Sequence, residues 1–208
     1  MELPVRSLKT GGTGHFRPAI VPPEVLLHAL VAHALRVIGD LAEASGDRRS
    51  AEEARLCASL LRRLSLLVQG AGTSESIFAQ ARVFARRRGI AEWFEGLVEA
   101  ETRRAASAAS LDTGLLLYQL LHLALIELRA TAYMAGNKEV WAIADIFHNV
   151  PTRLARVSRA EGSADELLAR VRQRAERRGM TEWLAEAIDD ARREITGDDR
   201  LPPFRRRW

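Results

Sequence analysis

Laid over itself at an offset of 90 residues, the chain aligns 25–104 onto 115–194 without a gap, and 20 of the 80 pairs are identical. A composition rich in Ala, Leu and Arg gives roughly 8–9% identity by chance, so agreement in register at this level points to a duplicated unit. The matches fall where helices need punctuation. Gly46 and Gly136 close a long apolar stretch, Gly72 and Gly162 precede a new one, and Gly89 and Gly179 separate an Arg-rich helix from a Trp-containing one. The densest block sets Arg87-Arg88-Gly89-Ile90-Ala91-Glu92-Trp93 against Arg177-Arg178-Gly179-Met180-Thr181-Glu182-Trp183, five identities in seven.

Each unit reads as four helices. The first covers Glu24–Ser45 or Gly114–Ala135, with a wide apolar face (Leu27, Leu30, Ala34, Leu35, Ile38) suited to pseudo-two-fold packing of the two copies. The second follows Asp47 or Asn137 as N-cap, and Pro151 predicts a kink in the later copy. The third starts at Thr73 or Ser163, the latter opening a capping box, and the fourth at Ile90 or Met180. The fold class is therefore all-α: an internally duplicated helical bundle of two four-helix units fused around a shared core. Its parts are an irregular N-terminal arm (1–24), unit one (25–104), a linker (105–114), unit two (115–194) and an extended Arg-rich tail (195–208).

The 208 residues are 47% hydrophobic and 28% charged, which excludes a disordered or collagen-like chain. One cysteine, Cys57, allows neither an intrachain disulfide nor a cysteine-based zinc site, and the cytoplasm is the expected compartment. The longest apolar stretches, Val25 to Leu35 and Leu115 to Ile126, are broken by polar residues and fall short of the ~20 a span needs, so no membrane role is expected.

Charge is where function shows first. The excess is four, 31 basic against 27 acidic, and 29 of the basic residues are arginine. They cluster locally. Arg82, Arg86, Arg87 and Arg88 lie in a stretch without an acidic residue; Arg170, Arg172, Arg174, Arg177 and Arg178 occupy the equivalent helix, and Arg153, Arg156 and Arg159 advance by threes along another. Such repeated arginines predict two equivalent patches for the phosphate backbone of RNA or DNA, read without sequence preference. The opposing reading neutralises them with Glu92, Glu95, Glu99, Glu182, Glu186, Asp189 and Asp190 on the following helices.

Other chemistries find less. Asp145 and His148, three apart, present a carboxylate and an imidazole on one helical face, but Arg55 and Ala58 stand at the matching positions, so no metal is expected. Cys57 reads as a buried inert thiol, and Lys9-Thr10-Gly11-Gly12-Thr13-Gly14 lacks the order of a phosphate loop. Trp93 and Trp183 read as core anchors. Phe204, Arg205, Arg206, Arg207 and Trp208 form a short motif for docking on a partner or on the protein's own surface.

Leu35 through Leu60 resembles a tetratricopeptide hairpin at Ile38-Gly39, Ala42, Gly46-Asp47, Ala51 and Ala58, while copy two has Arg129 and Trp141 at small-residue positions. The same segment with Ile90-Ala91-Glu92-Trp93 also resembles the helical N-terminal DNA-binding domain of family X polymerases, without that family's Gly-x-Gly hairpin. No family follows. The sequence points to a non-catalytic, cofactor-free helical subunit that docks on nucleic-acid backbone beside other protein subunits, or alternatively to a scaffold that binds only protein.

Overall fold

The computed structural model describes residues 21–105 and 112–197, and every regular element among them is an α-helix. In chain order these are α1 (Pro23–Ala44), α2 (Arg48–Val68), α3 (Ser74–Arg88), α4 (Ala91–Ala105), α5 (Thr113–Met134), α6 (Lys138–Phe147), α7 (Val150–Val157), α8 (Ala164–Arg177) and α9 (Thr181–Thr196). Most of the expected arm and linker, and the tail motif Phe204–Trp208, lie outside the described residues.

Local chemistry sets the helix ends. The side chains of Asp47, Thr73, Asn137 and Ser163 each accept a hydrogen bond from the backbone N–H three residues on, at 3.0–3.3 Å. At the other end, Gly89 and Gly179 adopt φ of 73° and 67°, a left-handed turn that a β-carbon disfavours. The next residues, Ile90 and Met180, then bond back to the carbonyls of Ala85 and Ala175 at 2.9 and 2.8 Å, closing the αL stop. Pro151 does more than kink its helix. His148 and Asn149 leave the helix, and a new one, α7, restarts with Pro151 in its first turn, where a missing N–H costs nothing. Leu61 stands at the matching place in α2, which runs unbroken.

The two long helices organise the packing. α1 lies on α2 and then on α6, α7, α8 and α9; α5 lies on α6 and α7 and then on α2, α3 and α4. Each long helix thus supports its own successor and the third and fourth helices of the other half. At Gly39 the α1–α2 approach is close enough that a β-carbon would sit 3.3 Å from the Ala51 carbonyl oxygen. At the middle, His28 of α1 meets Tyr118 of α5, two positions 90 apart in sequence, across 2.7 Å. The His28 Nδ1–H donates to the Glu24 carbonyl at 2.8 Å, so Nε2 accepts from the Tyr118 hydroxyl. Burial lowers the His28 pKa and pushes Tyr118 up to about 12.

By length and composition α1 and α5 both pass for membrane spans, contrary to the reading of their sequence. The most apolar stretch of α1 is 72% buried in the fold and that of α5 only 44%, so α5 keeps an apolar face partly uncovered. The tryptophans also depart from expectation. Trp93 and Trp183 are half-buried, and the residues beside them, Phe94 and Leu184, fill the core. An indole N–H needs a partner, and at the core edge Trp93 finds one in the Glu127 carboxylate at 2.7 Å. Trp183 sets its ring edge-on to Phe147, with centroids 6.3 Å apart.

Candidate phosphate-binding cleft

Arg170, Arg174 and Arg177 recur at intervals of four and three on α8, which keeps them on one helical face. That face looks across to α7, and the two helices enclose a cleft of about 270 Å³ that Arg153 of α7 also lines. Ile146, Val150, Leu167 and Val171 make its floor, Asn149 and Gln173 add neutral polar groups, and no carboxylate lines it. Among the described residues none of the four arginines has an ion-pair partner. Arg174, half-buried, donates only to the Ile146 carbonyl at 3.3 Å. Burial pushes its pKa below the ordinary arginine value, Arg153, Arg177 and Arg129 act in the same direction, and Asp145 opposes them. Four cations converge on a cleft that no carboxylate lines, with Asp145 acting on Arg174 from outside it. A smaller recess of about 140 Å³ continues past Arg153 and Arg170 to Arg156, and ends at Glu161 and Glu166. There Arg159 is neutralised by Glu161 at 3.3 Å.

A matching groove lies between α2 and α3. Its lining, Leu56, Ser59, Leu60, Arg63, Gln80, Ala81, Val83, Phe84 and Arg87, falls position for position 90 residues before nine residues of the α7–α8 cleft. Its volume is about 340 Å³. The charge differs: Gln80 replaces Arg170 and Phe84 replaces Arg174, and Arg63 hydrogen-bonds to the Gln80 amide oxygen across the mouth. Arg63 escaped the sequence reading, although its identity with Arg153 is one of the 20 in register.

The expectation of two equivalent basic patches is therefore corrected. Arg82 pairs with Glu95 at 2.9 Å and lies over the Phe78 ring. Arg88 reaches Glu52 at 3.5 Å and Arg178 reaches Asp145 at 2.7 Å, the latter stacked 4.4 Å above Trp141. Arg86, Arg87 and Arg172 are exposed and have no ion pair among the described residues, and of these only Arg87 lines one of the matched grooves. The opposing reading is corrected as well. Of the acidic residues on the fourth helices only Glu95 reaches a clustered arginine; Glu99, Asp189 and Asp190 pair instead with Arg103, Arg192 and Arg193.

The remaining candidates are occupied by structural work. Asp145 carries both Arg129 and Arg178, and although burial disfavours its carboxylate these cations hold it below the usual range. His148 turns its Nδ1–H to the Asp145 backbone oxygen at 2.8 Å, so the pair does not converge on a common point. Burial pushes the Cys57 thiol up, which leaves it unreactive. Among the described residues no three His, Cys, Asp or Glu side chains gather as metal ligands. The chain matches no protein-family model, no curated protein and no solved structure.

Proposed function

We propose that this is a non-catalytic helical subunit, descended from a duplicated four-helix unit, that docks on the phosphate backbone of RNA or DNA through the α7–α8 cleft within a larger nucleoprotein assembly. The observation that carries the reading is the convergence of Arg153, Arg170, Arg174 and Arg177 on one acid-free cleft with no ion pair among them. Guanidinium forks fit phosphate oxygens, and bringing four together unpaired is unfavourable unless an anion joins them. The floor supports indifference to sequence, because Ile146, Val150, Leu167 and Val171 are buried and offer a base edge nothing to bond. The duplication is supported by helix limits that recur at the same offset, Pro23–Ala44 with Thr113–Met134 at both ends and Ser74–Arg88 with Ala164–Arg177 at the start, the ends differing by one residue.

The test is fluorescence anisotropy with a labelled single-stranded RNA and a labelled DNA duplex over a salt series. Binding should weaken steeply with salt, and Arg153→Glu with Arg177→Glu should flatten the logarithmic slope by about two contacts. Arg87→Glu with Arg88→Glu should change the slope by less than half as much. Absence of binding to either probe at low salt, with the protein folded, removes this reading and leaves the protein-only scaffold, which the uncovered apolar face of α5 favours.

A further inference from the structure

A cleft of about 630 Å³ lies between α4 and α5, away from the arginine cleft. α4 lines it with Trp93, Gly96 and Ala100, and α5 with Leu123, Ile126 and Glu127. The corresponding junction of α9 with α1 is zipped by charge: Glu194 binds Arg36 at 2.5 Å and Arg62 at 3.3 Å, and Asp190 lies 3.8 Å from His33. Leu123 and Ile126 stand 90 residues after His33 and Arg36, and Ala100 stands 90 before Asp190. Small and apolar side chains thus replace the zip and leave room. The rim is acidic. Arg49 is taken by Glu53 at 2.8 Å and acts on Glu92 and Glu127 only through space, so among the described residues neither of these two carboxylates has an ion pair of its own.

We propose that this cleft holds the chain's own C-terminal segment, Phe204–Trp208. Its sequence supplies what the cleft lacks: two aromatic side chains for the apolar walls and, between them, Arg205, Arg206 and Arg207 for Glu92 and Glu127. The reach is sufficient. Glu194 is fixed on Arg62, and Arg49 on the cleft rim lies 13 residues earlier in α2, about 20 Å along the helix at ~1.5 Å per residue. Leaving α9 at its cap, Gly197, an extended run to Phe204 covers roughly 23 Å at ~3.3 Å per residue. This docking is independent of the arginine cleft.

Hydrogen exchange on the full chain tests it, comparing the wild type with the triple variant Arg205→Glu, Arg206→Glu, Arg207→Glu. The amides of residues 91–100 and 123–127 should exchange at least ~10-fold faster in the variant, at any protein concentration, with global melting unchanged. Glu92→Lys alone should do the same, and adding it to the triple variant should restore protection. Unchanged exchange in the triple variant overturns the proposal. Protection that rises with protein concentration also overturns it, and assigns the cleft to a second copy. Either result leaves the salt slope of nucleic-acid binding by the wild type untouched, so the two proposals fail separately.

Discussion

The α2–α3 and α7–α8 grooves are built on one frame and carry different chemistry. Leu56 and Ile146, Leu60 and Val150, and Ala81 and Val171 form matching floors, and Arg63 and Arg153 stand at matching walls. In the earlier groove the Gln80 oxygen satisfies Arg63, and Phe84 offers its ring to Arg88 at 5.4 Å. In the later groove both the acceptor and the ring have become arginines. Two side chains therefore separate a groove in which Arg63 is bonded and Arg87 alone is unpaired from one lined by four arginines with no ion pair among the described residues.

Exchanging those two side chains is the most damaging test of the contrast. Arg170→Gln with Arg174→Phe should weaken nucleic-acid binding by about 100-fold at low salt, at roughly 10-fold per charge-assisted contact. Gln80→Arg with Phe84→Arg should add salt-sensitive binding to the first groove. If neither exchange moves affinity, the grooves do not differ in function. A smaller effect tests the proposed equivalence of the halves, because positions 28 and 118 meet at the centre. Tyr118→Phe strands the buried His28 acceptor and should cost ~1–3 kcal/mol in urea unfolding, whereas a mutation at an unrelated exposed tyrosine, Tyr133, should cost almost nothing.

The smallest effect is a pH slope. Burial lowers the His28 pKa, so the unfolded chain binds the proton that the folded chain refuses, and stability falls as pH drops below about 6.5. His33 and His148 are also lowered, burial being the first cause for each, and add to the fall; Glu53, raised chiefly by burial, works against it at lower pH. Between pH 7.5 and 5.5 the wild type should lose up to ~1.4 kcal/mol through His28, nearly all of it below pH 6.5, and His28→Gln should flatten the curve. An unchanged slope in that variant would mean that the centre is wetter than its geometry.

Much of the frame was legible because it is written locally. Each of Asp47, Thr73, Asn137 and Ser163 caps the backbone three residues away, and Gly89 and Gly179 take a turn that other residues resist. The arginine partners were not legible for the opposite reason. Glu52 lies 36 residues from Arg88 and Asp145 lies 33 from Arg178, so only packing reveals which guanidinium is spent and which is free. Trp93 and Trp183 misled because an amphipathic helix offers both a core and a border position to a large apolar residue; both indoles take the border, where the Trp93 N–H finds Glu127.

The crossed packing of α1 and α5 governs the order in which the protein can be made. A ribosome that has released residues 1–105 has produced α4 before the helix on which it rests, and α1, ending at Ala44, must wait for α8 and α9, which start only at Ala164. Neither half completes its interior alone, so the nascent first half stays sticky until α8 and α9 emerge, and cleavage near residue 110 should yield two fragments that are insoluble apart and foldable only when mixed. In exchange, native contacts join distant parts of the chain, and opening one half must loosen the other, which makes unfolding a single cooperative event.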